Sequence, residues 1–352
     1  MSRSPACWRA GASVVGARSA WLGALAALAL LVAGVLLAFA QGRYSVSLVD
    51  LARLAWARVT AQPSGLPPDV ETVVWQIRGP RVLAALAVGT ALSAAGTAFQ
   101  GLFRNPLVSP DILGASAGAA LGAVLGIYFS LGLVGIQAAA FVGGLAAVVL
   151  VYALGATLRA GDPVLMLLLT GIVVGSLLGA GIGLVKYLAD PYNQLPAMTF
   201  WLLGSLAGVS SRDLWPLAAP VIAGTALLLA LRWKLNVMSL PDEEARSLGA
   251  STRALRIAIV AAATLVTAAS VAVAGVVGWV GLVVPHLARL LVGPSFPRLL
   301  PTAALLGGGF LLVIDTLART LAVVEIPLGI LTAVVGTPFF IVLLRSAHQR
   351  AA

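Results

Sequence analysis

The sequence predicts an all-α polytopic membrane protein with about ten transmembrane helices. Of its 352 residues, 60% are hydrophobic and only 10% are charged. Residues 112–158 and 257–288 contain no Asp, Glu, Lys or Arg, and one span needs only about 20 apolar residues. Because a charge at the centre of a span costs about 2.5–3.5 kcal/mol, these runs indicate successive spans joined by short turns.

The first apolar run, 20–40, follows three arginines and ends in Ala38-Phe39-Ala40, which resembles a signal-peptidase site. The apolar part of a signal peptide has about 7–15 residues, and this run is longer. We therefore expect a retained first span behind an N-terminal tail of residues 1–19.

Breaks between the remaining apolar runs define nine further spans. They are expected at 80–99, 110–129, 133–157, 163–188, 213–231, 254–275, 278–292, 298–318 and 327–345. The eighth of the ten is short for a full crossing. One permease domain thus covers residues 20–346, and residues 347–352 form a C-terminal tail.

Ten spans place both termini on one side of the membrane. With that side cytoplasmic, 14 of the 22 lysines and arginines lie inside, in agreement with the positive-inside rule. The basic residues are scattered over the links between spans rather than collected in one stripe, so the net charge of +10 does not indicate nucleic-acid binding.

One polar segment interrupts the apolar pattern of the second half. Three of the twelve acidic residues stand side by side at 242–244, and the segment continues to Gly249. The predicted topology places it in the cytoplasm. A compact charged surface in such a chain suggests a docking site for a soluble partner.

The chain carries no energy source of its own that the sequence reveals. A P-loop needs Gly-Lys-Ser/Thr, but the two lysines follow Val185 and Trp233. ATP-driven transport would therefore use another polypeptide.

An ion-coupled secondary transporter is the alternative, with Asp315 as the clear ionisable candidate. Since Asp315 precedes Arg319 by four residues, we favour a helical ion pair over a proton site.

Catalytic and metal constellations are also missing from the sequence. His286 and His348 are the only histidines and Cys7 is the only cysteine, which is too little for a Cys/His metal cluster. We expect no catalytic residue, no bound metal and no cofactor in this chain, and a membrane enzyme is disfavoured.

Two further patterns allow a structural and a functional interpretation. Arg78 and Arg81 flank Gly-Pro at the outer start of the second span, where they could reach the interface or form a cationic socket for a partner's carboxylates. Glycines also recur at every fourth position in two spans: Gly114, Gly118, Gly122 and Gly126, and Gly171, Gly175, Gly179 and Gly183. Close helix packing is the favoured explanation, and a wide translocation cavity is the alternative.

Eight segments in order carry a family resemblance. They are Arg78-Gly79-Pro80-Arg81, residues 101–107 (GLFRNPL), residues 111–114 (DILG), residues 200–205 (FWLLGS), residues 243–249 (EEARSLG), residues 281–286 (GLVVPH), residues 315–319 (DTLAR) and residues 327–332 (PLGILT). Together they resemble the FecCD permease family, the membrane subunits of type II ABC importers. The resemblance extends from about residue 25 to 345.

The resemblance implies a multi-pass permease of the bacterial inner membrane, surrounded by lipid and assembled as a homodimer. Two cytoplasmic ATPase subunits would bind ATP and magnesium, and one periplasmic or lipoprotein substrate-binding protein would dock outside. A ferric siderophore is the expected cargo, with haem, cobalamin or a molybdate-type oxyanion as alternatives.

The resemblance also assigns roles to individual residues. Coupling helices at about 238–252 would bind the ATPase through Asp242, Glu243, Glu244, Ala245, Arg246, Leu248 and Gly249. The binding protein would dock on Arg78, Arg81 and Arg319. Asn105 and Leu107 would belong to the cytoplasmic gate. The link 160–165 lacks the Thr-Ser pair found at the inner gate of a family member, so no gate residue is assigned there.

Overall fold

A computed structural model describes residues 17–42, 44–157 and 163–349, and every regular element in these ranges is helical. The helices in chain order are α1 Ala17–Ala40, α2 Leu48–Thr60, α3 Pro68–Thr72, α4 Gly79–Leu102, α5 Ala115–Tyr128, α6 Leu133–Thr157, α7 Pro163–Leu188, α8 Gln194–Leu203, α9 Ser211–Ala230, α10 Arg232–Met238, α11 Asp242–Ser247, α12 Thr252–Ala274, α13 Val280–Val292, α14 Phe296–Thr320 and α15 Leu328–Gln349. A π-helical turn, Val73–Arg78, joins α3 to α4, and a 3-10 turn, Pro110–Leu113, precedes α5.

The predicted set of apolar spans is confirmed. Seven helical runs in the described part of the chain are long and apolar enough to cross a membrane: α1, the run from α3 to α4, α6, α7, α9, α12 and α14. Three shorter apolar helices, α5, α13 and α15, supply the rest. The eighth predicted span, 278–292, is indeed short.

The third span begins later than the sequence predicted. Asp111 was expected in its first helical turn, but it lies in the 3-10 turn, and Gly114 with a φ of 78° separates that turn from α5. The Ser109 hydroxyl accepts a hydrogen bond from the Asp111 N–H, and the Asp111 carboxylate accepts one from the Ser116 hydroxyl. Pro110 and the left-handed Gly114 prevent one continuous helix.

Helices α4, α12 and α14 form the buried centre, whereas α1, α6 and α7 expose most of their surface. Glycines let α4 approach its neighbours closely. A Cβ atom on Gly89 would overlap the carbonyl oxygen of Gly307 in α14, and one on Gly96 would overlap that of Gly281 in α13. Backbone contact of this kind is a usual way to pack helices in lipid.

The two glycine ladders have different surroundings. On α5, Cβ atoms at Gly118 and Gly122 would overlap the backbone of α6, which confirms close packing for that ladder. On α7, Gly171 packs against the carbonyl of Ile112, but Gly175, Gly179 and Gly183 have no atom within 4 Å of a built Cβ. The outer part of α7 therefore presents an open, small-residue face.

Helix α2 lies outside the spans and is amphipathic. Ser47 caps its N-terminus by accepting a hydrogen bond from the Asp50 N–H. Leu48, Trp56 and Val59 are exposed, while Leu54 is buried. Leu51 packs against the same small cluster as Leu54. The exposed face suits the membrane surface.

Contacts between links sort them into two ends of the molecule. At one end, the link after α4 meets the segment after α10, and the Asn236 side chain accepts a hydrogen bond from the Phe296 N–H. At the other end, the link after α1 meets the start of α4 and the end of α14. This alternation agrees with the predicted topology, and we call these the inner and outer ends. Their assignment to cytoplasm and periplasm stays a prediction.

Candidate functional site

The segment from α10 to the start of α12 forms the surface of the inner end. Pro241 precedes α11, and three acidic residues fill its first turn, where the helix dipole favours them. Gly249 adopts a φ of 78°, and the N–H groups of Gly249 and Ala250 bond to the carbonyls of Arg246 and Ala245. This is a Schellman motif, which requires a left-handed residue where glycine is preferred. The helix is therefore short and sharply ended.

The residues predicted to bind an ATPase divide into two faces. Glu243, Glu244, Arg246 and Leu248 point away from the protein, and Leu248 is 65% exposed although it is apolar. Ala245 is buried, and Asp242 is half-buried against the rest of the chain. The outward face thus combines two carboxylates, one guanidinium group and one exposed leucine, which is a suitable composition for a protein contact.

Asp242 is bound by arginines of two other elements. Its Oδ1 accepts a hydrogen bond from Nη2 of Arg104 at 2.7 Å, and its Oδ2 accepts one from Nη2 of Arg256 at 2.9 Å. Arg246 stands farther away, at 3.9 Å. Asp242 therefore connects α11 with the link after α4 and with α12.

These partners keep Asp242 ionised. Burial alone would raise the pKa of the Asp242 carboxyl, but the hydrogen bonds and charges of Arg256 and Arg104 outweigh burial and lower that pKa below its ordinary value. A carboxylate of this kind stabilises the fold at neutral pH, and its contribution disappears only as the pH falls through the lowered pKa.

The link after α4, predicted to belong to the gate, begins with a Schellman motif like the one that ends α11. The N–H groups of Arg104 and Asn105 bond to the carbonyls of Gly101 and Gln100. Arg104 takes the left-handed position with a φ of 49°, which costs a non-glycine residue about 1–3 kcal/mol. The Asn105 Oδ1 accepts a hydrogen bond from the Leu107 N–H at 2.9 Å. Both residues are exposed, and Leu107 is 52% exposed.

At the outer end, the three predicted docking arginines come together but are buried. Arg78, Arg81 and Arg319 are only 4%, 8% and 8% exposed. Arg78 donates to the carbonyls of Phe39, Ala40 and Tyr44. Arg319 donates to the carbonyls of Gln41 and Ala38. These side chains hold the link after α1 against the bundle, and they do not extend into water as interfacial arginines would.

Arg81 lies at the centre of a charge cluster that we call the outer cluster: Arg81, Asp315, Arg319 and Glu325. The first three are buried, and the Glu325 side chain is 32% exposed. The Arg81 Nε donates to both oxygens of Asp315 at 2.9 and 3.0 Å, and its Nη atoms donate to Glu325 at 3.0 and 2.9 Å. The Arg319 Nε lies 3.4 Å from the Asp315 carboxylate. The predicted pairing of Asp315 with Arg319 is confirmed.

Sequence reasoning missed Arg104, Arg256 and Glu325 as partners in these two sites. Only the motif around Arg104 gave a signal, and it drew attention to Asn105 and Leu107 instead. No cluster of three His, Cys, Asp or Glu residues able to hold a metal occurs within 17–42, 44–157 and 163–349.

Comparison with known proteins gives the family. The model of the FecCD transport family matches residues 28–346. The molybdate import permease MolB of Haemophilus influenzae is 38% identical over 89% of this chain and 92% of its own length. The cobalamin import permease BtuC of Halobacterium salinarum is 42% identical over 82% and 77%. Other relatives are named for iron chelatin and hemin transport.

A solved structure gives the same answer for the fold. It shows a metal-chelate type ABC transporter in an inward-facing conformation, with a TM-score of 0.83, 36% identity and coverage of 92% of this chain and 98% of that one. The all-helical importer architecture predicted from the sequence is therefore confirmed. ABC importers of this kind place ATP hydrolysis on a separate subunit.

The buried spans, the polar inner surface and the match over nearly the whole chain lead to one conclusion: this multi-pass membrane protein belongs to the FecCD transport family and is the permease, not the enzyme, of an ABC importer.

Proposed function

We propose that this permease carries a metal chelate inward across the bacterial inner membrane and that a ferric siderophore is its first candidate substrate. The observation that carries the proposal is the similarity over 92% of the chain to a transporter of the metal-chelate type. Haem, cobalamin and a molybdate-type oxyanion are the alternatives, since relatives are named for these substrates.

We further propose a homodimer with two ATPase subunits, which hold ATP and magnesium, and one outer binding protein. Both termini of the permease would be cytoplasmic. The open face of α7 around Gly175, Gly179 and Gly183 supports a second copy or a substrate path beside this helix. ATP binding would then tilt the spans around the two-fold axis to expose the path to alternate sides.

The direct test is uptake by proteoliposomes that contain the permease, its ATPase and its binding protein. Ferric siderophore, haemin, cobalamin and molybdate are offered separately, each with and without ATP. We expect ATP-dependent accumulation of one of them. Uptake driven by a proton or sodium gradient alone would contradict the importer mechanism, and uptake of molybdate but no chelate would correct the substrate.

Reversing the charge of the outward face should weaken ATPase binding. The double variant Glu243→Lys/Glu244→Lys replaces two exposed carboxylates with ammonium groups. Within the described part of the chain, neither glutamate forms an ion pair that the substitution would break. We expect at least a tenfold loss of co-purified ATPase, equal to about 1.4 kcal/mol, with an unchanged melting temperature. Asp69→Lys, an exposed acid at the opposite end, is the control. Wild-type association and uptake would rule out this docking surface.

Replacing Arg78 and Arg81 with glutamine should weaken docking of the binding protein, because it removes two cations that would attract the partner's carboxylates. The loss should be clearest at low salt, since attraction over more than about 10 Å is largely screened at 0.1 M. The structure adds a sharper variant. Glu325 occupies both Nη atoms of Arg81 and would compete with a partner's carboxylate, so Glu325→Gln should tighten docking. If docking at low salt is unchanged in the arginine variants and in Glu325→Gln, Arg78 and Arg81 have a purely structural role.

A further inference from the structure

The contacts of Asp242 differ from those of its acidic neighbours. Glu243 and Glu244 face outward, whereas the Asp242 carboxylate is shared between Arg104 at 2.7 Å and Arg256 at 2.9 Å. The side chain of Arg256 is 8% exposed and is anchored in α12, one of the most buried helices. An ATPase that bound α11 would therefore meet a carboxylate that is already paired with two arginines of the permease.

The backbone at Arg104 gives a second, independent observation. The Schellman motifs that end α4 and α11 have the same two hydrogen bonds, and the left-handed position holds Arg104 in one and Gly249 in the other. Glycine is the residue that this position favours. No atom lies within 4 Å of a Cβ built on Gly249, but the Arg104 guanidinium reaches Asp242. The left-handed position after α4 is thus occupied by a residue whose side chain contacts Asp242.

The link that Arg104 begins includes Asn105 and Leu107. We propose that the Arg104–Asp242–Arg256 ion pairs form a tether through which movement of α11 is transmitted to this link and to α12. Asp242 is thus a positioning residue inside the permease, and not a contact for the ATPase. This inference rests on the proposed ATP-driven mechanism.

The test needs a readout of the link that does not depend on knowing the cargo. Cys7 is the only native cysteine, so a Cys7→Ser/Leu107→Cys background gives one reactive thiol at an exposed position of the link. In the complex with ATPase and binding protein, the rate of labelling by a charged maleimide is measured with and without ATP, beside the rate of ATP hydrolysis and the amount of bound ATPase.

Arg104→Gly is the main variant, because glycine relieves the left-handed strain while it removes the tether. We expect this protein to fold and to retain the ATPase, but the change in labelling rate on adding ATP should shrink by at least about fivefold, the lower end of ordinary coupling between sites. Asp242→Asn should shrink it equally, and the double variant should shrink it no further. Arg253→Gln, an exposed arginine in the same turn of α12 as Arg256, is the control.

Three results would overturn the tether. The first is a full ATP response in Arg104→Gly. The second is loss of bound ATPase in Asp242→Asn but not in Arg104→Gly, which would make Asp242 a docking residue. The third is additive losses in the double variant. A fourth result concerns the Cys7→Ser/Leu107→Cys protein alone. If its labelling rate does not change on adding ATP although ATP is hydrolysed, the link does not move, and both the proposed movement and the tether are contradicted. This result needs no Arg104 or Asp242 variant.

Discussion

Asp315→Ala should destabilise the permease by about 3–5 kcal/mol, the usual cost of removing one partner of a buried ion pair. Asp315 is fully buried and accepts both hydrogen bonds from the Arg81 Nε. Without the Asp315 carboxylate, the guanidinium groups of Arg81 and Arg319 remain close together, and Glu325 is the one carboxylate left in the outer cluster. We expect a lower yield of folded protein and a lower melting temperature in detergent, measured by fluorescence-detected size exclusion after heating.

The control is Asp50→Ala in α2. Asp50 lies 4.0 Å from Arg53, whose side chain is 62% exposed, and exposed pairs of this kind contribute about 0–1 kcal/mol. An Asp315→Ala protein that melts together with the Asp50→Ala protein would show that the outer cluster does not stabilise the fold, and the buried arginines would need another explanation.

Gly96→Ala should be the most harmful of the simple glycine substitutions in α4. The added Cβ would overlap the carbonyl oxygen, the carbonyl carbon and the Cα of Gly281. Backbone atoms cannot rotate away as a side chain does, so α4 and α13 must separate. Overpacking costs about 1–3 kcal/mol and occasionally more, and we expect a clearly lower melting temperature of the subunit.

The matched control for this substitution is Gly175→Ala in α7, where a Cβ meets nothing within 4 Å. Alanine also has a higher helix propensity than glycine by about 1 kcal/mol, so the unfolding temperature of this subunit should stay equal or rise. A Gly96→Ala subunit that melts no lower than the unsubstituted protein would mean that the close approach of α4 to α13 is not maintained in the membrane.

The sequence was sufficient for features that depend on local composition. The ten apolar elements follow from the cost of placing charge in lipid, and the Asp315–Arg319 pair follows from a spacing of four within one helix. The start of the third span was placed too early, because the combined effect of Pro110 and Gly114 on the chain direction was underestimated.

Features that depend on distant neighbours could not be predicted in this way. The glycine ladders of α5 and α7 have the same spacing. Only the structure shows that the α5 ladder packs against α6, whereas the α7 ladder is open at Gly175, Gly179 and Gly183. Likewise, the sequence grouped Asp242 with Glu243 and Glu244, but their directions differ because Arg104 and Arg256 come from other elements.

The bond between Arg81 and Asp315 also has a consequence for biosynthesis. The two residues are 234 positions apart, and at about 5–20 residues per second translation needs roughly 10–50 s to reach the aspartate after the arginine has been made. During this interval Arg81 has neither Asp315 nor Glu325 as a partner, because both follow it in the chain. The centre of the bundle is therefore completed late, when α14 is inserted.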